Sequence, residues 1–268
     1  MWNEARIINA LANTLVILAL LALLVGGLFW TLRLPMFTLQ KIEIEAQQGT
    51  NLQHTTTKEV ESALSGRLSG NFFSINLSQT REVFETLPWV RYAAVRRIWP
   101  NTLRISVEEQ QPLALWNDTQ MVNTWGQLFT ANRAAVDNED SLPQFIGPDG
   151  SERLMVQRYA ELTRWFAPLD VRAKQLTLND RYAWQVSLSN GMTLDLGRDP
   201  GADAPDPQVG IPGALSFAQR IERFVQAWPK AQQKLHGRVA THADLRYPNG
   251  FALTLAALSE PVNSKKKR

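Results

Sequence analysis

The longest uniform pattern in the chain is an apolar one. From Ile7 to Leu32 there is no Asp, Glu, Lys or Arg, and Leu15 to Leu28 contains only Leu, Val, Ile, Ala and Gly. As a helix rising about 1.5 Å per residue, this run reaches roughly 39 Å, more than a hydrocarbon core of about 30 Å. It is apolar on every face, unlike the one-sided stripe of a soluble surface helix. A cleaved signal peptide has a shorter run and a small-residue cleavage site, whereas Leu32-Arg33-Leu34-Pro35 is a poor one. The pattern therefore predicts a membrane-spanning helix over 7–32, preceded by a short segment, 1–6. Trp30 stands near one end, where an indole suits the interface. No second run of this kind follows, so a single pass is expected. The flanking cations, Arg6 on one side and Arg33 and Lys41 on the other, do not set the orientation.

The next pattern has a period of two. Ile42 and Ile44 alternate with Lys41, Glu43 and Glu45, which predicts a strand with the two isoleucines facing inward. Thr56 followed by Glu59 reads as a capping box opening a short helix with Val60 and Leu64 on one face, broken by Gly66 and Gly70. Asn76, with Gln79 three residues on, caps a second helix carrying Val83, Phe84 and Leu87. A strand then runs to about Trp99, Pro100-Asn101 turns the chain, and Leu103, Ile105 and Val107 alternate on the return strand. The order over 37–109 is β-α-α-β-β. Trp89 and Trp99 are expected in its core. Arg96 and Arg97, adjacent on a strand, point to opposite faces.

From 112 to 258 the pattern is mostly strand, with two helices. Leu113–Trp116 and Met121-Val122 form a hairpin, and Trp125–Phe129 follows another turn. Ser151 is placed to cap a helix burying Leu154, Tyr159, Leu162 and Phe166. Two later hairpins can be placed by register. At Ser189-Asn190-Gly191, a two-residue turn would set Leu188 against Thr193 and mix apolar with polar. A three-residue loop with Gly191 left-handed pairs Leu188 with Met192, Val186 with Leu194 and Trp184 with Leu196, and sorts one face cleanly. The same logic at Pro248-Asn249-Gly250 pairs Tyr247 with Phe251, Leu245 with Leu253 and Ala243 with Leu255. A Pro-, Gly- and Asp-rich loop covers about 199–212. A helix from about Ala214 to Trp228 then carries an apolar stripe of Leu215, Ala218, Ile221, Val225 and Trp228, with Arg220 and Arg223 on a second face.

Composition narrows the chemistry. There is no Cys, which removes disulfides, thiolate metal sites and a Cys nucleophile. The net charge is +3, but Lys265 to Arg268 alone carry four positive charges, so the remainder is close to neutral. Nucleic-acid binding needs a basic surface on the fold itself, and none is indicated. The basic end, 259–268, reads as a disordered tail. Asp137–Asp140 lacks the alternating ligands and glycine of a calcium loop and reads as solvated. The histidines, His54, His236 and His242, are scattered, and no hydrolase, zinc or phosphate-loop motif is present. The sequence therefore predicts no catalytic residue, metal or cofactor.

Three segments carry a resemblance: Leu87-Pro88-Trp89-Val90-Arg91, then Val95-Arg96-Arg97-Ile98-Trp99-Pro100-Asn101-Thr102-Leu103, then Val107-Glu108-Glu109. They resemble the POTRA domain of the FtsQ/DivIB cell-division family. Further pieces resemble that family's β-domain: Trp116-Asn117-Asp118, Leu194-Asp195-Leu196-Gly197-Arg198, Arg223-Phe224-Val225 and Asp244-Leu245-Arg246-Tyr247. The 199–212 loop is longer than the family pattern suggests. The resemblance covers nearly the whole chain. It implies an α+β protein with one amino-terminal transmembrane helix, a POTRA domain and a mainly antiparallel β-domain with two or three helices. It further implies a single-pass inner-membrane protein, with its amino terminus cytoplasmic and its bulk periplasmic, concentrated at the division septum. Its implied role is that of a non-enzymatic divisome scaffold that recruits FtsB and FtsL, with FtsK and other division proteins as further partners, and links them to septal peptidoglycan synthesis. The alternative is a POTRA-type chaperone or translocation factor for envelope proteins, although neither a POTRA array nor a membrane barrel is evident here. Carried onto this chain, the partner-binding residues are Arg246, Tyr247, Gly250 and Phe251 at the terminal hairpin and Arg220 and Arg223 on the preceding helix. The recruitment residues in the POTRA domain are Tyr92, Val95 and Arg97.

Overall fold

The computed structural model describes residues 2–31, 38–47, 52–56, 60, 62–63, 71–136, 141–199 and 215–256. Expectations for Glu59, Leu64, Gly66, Gly70, Asp137–Asp140, most of the 199–212 loop, Leu258 and the basic tail fall outside these residues. The chain divides into two compact units, Met1–Gln110 and Gln111–Arg268. Helix α1, Trp2–Thr31, opens the first. Its stretch Arg6–Thr31 is long and apolar enough to cross a membrane, and none of it is buried against protein.

The sheet of the first unit comprises β1 (Lys41–Ala46), β2 (Val90–Ile98) and β3 (Thr102–Glu109), in the order β1-β3-β2. β1 runs parallel to β3, Lys41 opposite Thr102, while β2 and β3 form an antiparallel hairpin. Residues Val60 and Ser62–Ala63 are helical, and Val60 N–H donates to the Thr56 carbonyl at 3.2 Å. Helix α2, Leu77–Glu85, is capped as expected: the Asn76 side chain accepts from Gln79 N–H at 3.1 Å. The order is thus β-α-α-β-β. Phe84, Val90, Leu103, Ile105 and Val107 form the core, with Ile44 packed at its margin. Ile42 departs from its predicted inward position and is 38% exposed, because β1 is an edge strand whose first residues lie beyond the core. Trp89 is buried, but Trp99 lies past the end of β2 and is 73% exposed, which corrects its expected core position.

Glu109 closes this unit. Its carboxylate accepts from the backbone N–H groups of Gln53 (2.7 Å), His54 (3.1 Å) and Thr55 (2.6 Å). Burial pushes its pKa up, but these donors outweigh burial and hold it below the usual glutamate range. The His54 ring stacks on Trp89 at 4.1 Å.

The second unit is built on one nine-stranded sheet. Its strands are β4 (Pro112–Trp116), β5 (Gln120–Asn123), β6 (Leu128–Phe129), β7 (Gln144–Ile146), β8 (Ala173–Leu178), β9 (Ala183–Leu188), β10 (Thr193–Arg198), β11 (Ala240–Asp244) and β12 (Ala252–Leu255). Their order is β12-β11-β10-β9-β8-β7-β4-β5-β6. The pairs β4·β7, β7·β8 and β10·β11 are parallel and the rest antiparallel, so the sheet is mainly antiparallel. Helix α3, Glu152–Phe166, packs on β8, and α4, Phe217–Lys234, on β10. Trp116, Phe145, Leu162, Trp184, Leu194 and Phe224 are among the side chains of the shared core. Ser151 stands at the start of α3 but makes no cap, since its hydroxyl donates to the Pro148 carbonyl at 2.6 Å.

The β9–β10 hairpin has the predicted register at its turn. Leu188 N–H donates to Met192 carbonyl at 2.8 Å, Val186 pairs with Leu194, and Gly191 has φ +83°. A bulge then sets Trp184 opposite Gly197 rather than Leu196. The β11–β12 hairpin differs from expectation throughout: Ala243 pairs with Leu253 and Asp244 with Ala252. The cause is Asp244. Its carboxylate captures the Arg246 N–H at 3.0 Å and ends the strand, while Leu245 N–H donates across to Asp195 carbonyl at 2.9 Å. The chain crosses from β11 to β12 by a longer loop than the three residues predicted.

Candidate functional site

β12 is the terminal strand of its sheet, and among the described residues no strand pairs with its outer edge. Such an edge presents backbone N–H and C=O groups to any incoming strand. Leu253 and Leu255 pack against the core, whereas Ala252 and Thr254 are exposed. Small and short side chains on the outer face leave the backbone approachable.

The start of β12 is held from the side by α4. Ser216 caps this helix in a reciprocal capping box with Gln219. The buried stripe is Phe217, Arg220, Ile221, Phe224 and Trp228, one position out of step with the predicted stripe at Ala218 and Val225. Arg223 sits beside that stripe, and its guanidinium donates to three carbonyls of the turn: Pro248 at 2.5 Å, Tyr247 at 2.7 Å and Gly250 at 2.6 Å. Phe251 packs edge-on against Phe224 of the same helix, with ring centroids 5.1 Å apart. The loop leading into the edge strand is therefore fastened to α4 by one cation and one ring.

The sequence-predicted residues separate by environment. Arg246 and Tyr247 stand at the surface, with Tyr247 54% exposed. Arg246 grips Asp244 with both arms of its fork, Nε to Oδ1 at 2.8 Å and a terminal nitrogen to Oδ2 at 2.6 Å. The hydrogen bonds from Arg246, against a smaller cost of burial, hold the Asp244 pKa below the usual aspartate range, and Asp244 in turn raises that of Arg246. Tyr247 does not pack in the core against Phe251: it is 54% exposed. Arg220, expected on a second face apart from the apolar stripe, lies within the buried stripe and is 2% exposed. Its guanidinium donates to the carbonyls of Leu196 (3.1 Å), Leu215 (3.0 Å) and Arg198 (3.1 Å), tying the start of α4 to the end of β10. Gly197 fits between: at φ +87°, an added Cβ would lie 3.3 Å from both Arg220 and Arg246.

The POTRA candidates are not brought together as a group. Tyr92 and Val95 line a cleft of about 240 Å³ between β2 and α2, with Leu77 and Arg81. Tyr92 is 41% exposed, and β2 is one of the two edge strands of its sheet among the described residues. Arg97 lies elsewhere, its guanidinium holding the carbonyls of Phe72 (2.7 Å), Phe73 (3.4 Å) and Ile75 (2.7 Å). Sequence reasoning missed Asp244 as the partner that fixes Arg246. The signal was its spacing, an Asp two residues before an Arg at a strand end, where side-chain capture of a following N–H is common.

These features define a class: among the described residues, one membrane-length helix, a β-α-α-β-β unit and a second sheet domain whose terminal strand has no partner on its outer side. Residues 37–110 match the POTRA domain, FtsQ-type, and residues 114–246 match the C-terminal domain of cell division protein FtsQ/DivIB. The chain is 61% identical over 258 residues to the cell division protein FtsQ of Bordetella pertussis, covering 96% of this chain and 94% of that one. It is 42% identical to that of Burkholderia pseudomallei, with 96% of each chain covered, and 36% identical to that of Nitrosospira multiformis, over 94% and 98%. The chain belongs to the FtsQ/DivIB family of cell division proteins.

Proposed function

We propose that this protein is a non-enzymatic scaffold of the divisome. It crosses the inner membrane once through 7–32, with residues 1–6 in the cytoplasm and the POTRA domain (37–109) and β-domain (112–258) in the periplasm. It collects FtsB and FtsL at the septum and so links early division proteins to septal peptidoglycan synthesis. A partner segment adds as a strand to the outer edge of β12, with Tyr247 and Arg246 flanking the start of the groove and Gly250 and Phe251 setting its backbone path. The open edge of β12 is the observation that carries this reading, since strand addition needs a row of accessible backbone groups and little else. Arg246 supplies a cation for an acidic partner residue even while it holds Asp244, because its charge is only partly screened. Tyr92 and Val95 form a separate recruitment surface on the POTRA edge.

The test is capture from solubilised membranes, comparing wild type with Tyr247→Ala and Arg246→Glu at matched abundance. Both variants are expected to lose FtsB and FtsL, with cells growing as filaments. Retention of both partners by both variants would remove the site from β12. Absence of both partners from the wild type would remove the divisome reading itself.

A further inference from the structure

Among the described residues outside α1, Trp99 is the most exposed large apolar side chain, at 73%. Its place in the fold gives that exposure a direction. The β2–β3 hairpin turns at Trp99-Pro100-Asn101, and Gln40 N–H donates to the Asn101 carbonyl at 3.1 Å, while the Asn101 side-chain amide donates to Gln40 Oε1 at 3.1 Å. The hairpin tip is therefore fastened to the residue that leads into β1. Because β1 and β3 are parallel, the chain coming from α1 enters the sheet at the tip and leaves at the far end, beside Glu109. About nine residues separate Thr31 from Gln40, a reach of at most roughly 30 Å. The opposite end of the sheet lies about 20 Å further on, at 3.3 Å per strand residue. Of the two ends, the one bearing Trp99 has the shorter chain path to the membrane helix. A second ring stands at the same strand end: Arg97, two residues before Trp99, holds the Phe73 carbonyl, and Phe73 is 45% exposed.

We propose that this hairpin tip rests in the lipid headgroup layer of the membrane that α1 crosses, with the Trp99 indole as the anchor. An indole combines an apolar body with one N–H donor, the chemistry that concentrates tryptophan where acyl chains meet headgroups. In water the same ring would leave most of its surface as unrelieved apolar area. A bilayer is the occupant the tether favours, since its surface is always within reach of the tip, whereas a protein partner must be supplied. The contact holds the first unit close to the membrane at a set face. It rests on α1 spanning a bilayer and is independent of docking at β12.

The experiment uses the full chain, fluorotryptophan-labelled, in nanodiscs of phosphatidylethanolamine and phosphatidylglycerol. Trp99→Phe and Trp30→Phe assign the two fluorine resonances. Nitroxide-headgroup lipid is expected to abolish the Trp99 signal, and a soluble gadolinium chelate to leave it. The reverse pattern overturns the proposal. Shielding of Trp99 from both probes also overturns it, because the cover would then be protein. Trp30 is the internal reference: if it too ignores the lipid probe, the membrane span itself fails, whereas loss of the Trp30 signal alone confines the failure to the hairpin tip.

Discussion

Among the described residues each sheet has an edge strand unpaired on its outer side, β2 in one and β12 in the other, and each of these strands is accompanied by an arginine that donates to three backbone carbonyls. The two edges are nonetheless built differently. β2 is nine residues long and carries its own arginine, Arg97, which reaches out to fasten the 72–75 loop. β12 has four residues, and its arginine comes from a helix, Arg223, which fastens the turn before the strand begins. A long strand with extensive pairing to β3 keeps its shape without help. A short one depends on what holds its ends. The geometry of the β12 edge is thus a property of α4 as much as of the strand.

The variants that test this contrast fall in order of size. Arg220→Ala has the largest effect. It removes the guanidinium from the buried carbonyl of Leu196 and from the part-buried carbonyls of Leu215 and Arg198. A loss of about 3 kcal/mol is expected in denaturant unfolding of the second unit, and Arg220→Lys recovers only a fraction of it, since an ammonium lacks the planar fork. Arg223→Ala comes next, at about 1–2 kcal/mol because the site is half-exposed. Its distinguishing mark is partner capture, which should fall well beyond that stability loss. Arg97→Ala should cost about 1 kcal/mol in unfolding of the first unit and leave hydrogen exchange along β2 nearly unchanged. Equal exchange losses at the two edges would erase the contrast.

The smallest effect is one of pH. Glu109 has a folded pKa below its unfolded value. Its contribution is therefore complete above the ordinary glutamate pKa and is lost as pH falls through the depressed value. Unfolding of the first unit should become easier on acidification below about pH 4.5, the ordinary glutamate value, and Glu109→Gln should flatten that dependence.

The elements of the fold that follow from periodicity are readable in the chain. The apolar run of α1, the alternation in β3, the Asn76 cap and the Gly191 turn all depend on residues within a few positions of one another. What is not readable depends on where distant carbonyls lie. Arg97, Arg220 and Arg223 look like surface cations in a sequence, because arginine is usually exposed. Each is bound to backbone at least five residues away, and Arg220 to two segments that meet only in the folded sheet. The β11–β12 register departs from expectation for a smaller reason: one carboxylate, Asp244, outcompetes the ladder for the next N–H. Trp99 escapes a sequence reading because tryptophan is mostly buried, and nothing local shows that it lies past the end of its strand.

The parallel pairing of β1 with β3 has a mechanical consequence. The chain enters at Lys41 and leaves after Glu109, at opposite ends of two adjacent strands running the same way. Tension applied between α1 and the second unit pulls β1 backward and β3 forward along their common axis. The load is shear, so the hydrogen bonds from Lys41–Thr102 to Ala46–Val107 must stretch together rather than break in succession. The strand pair is thereby a tether that yields all at once or not at all.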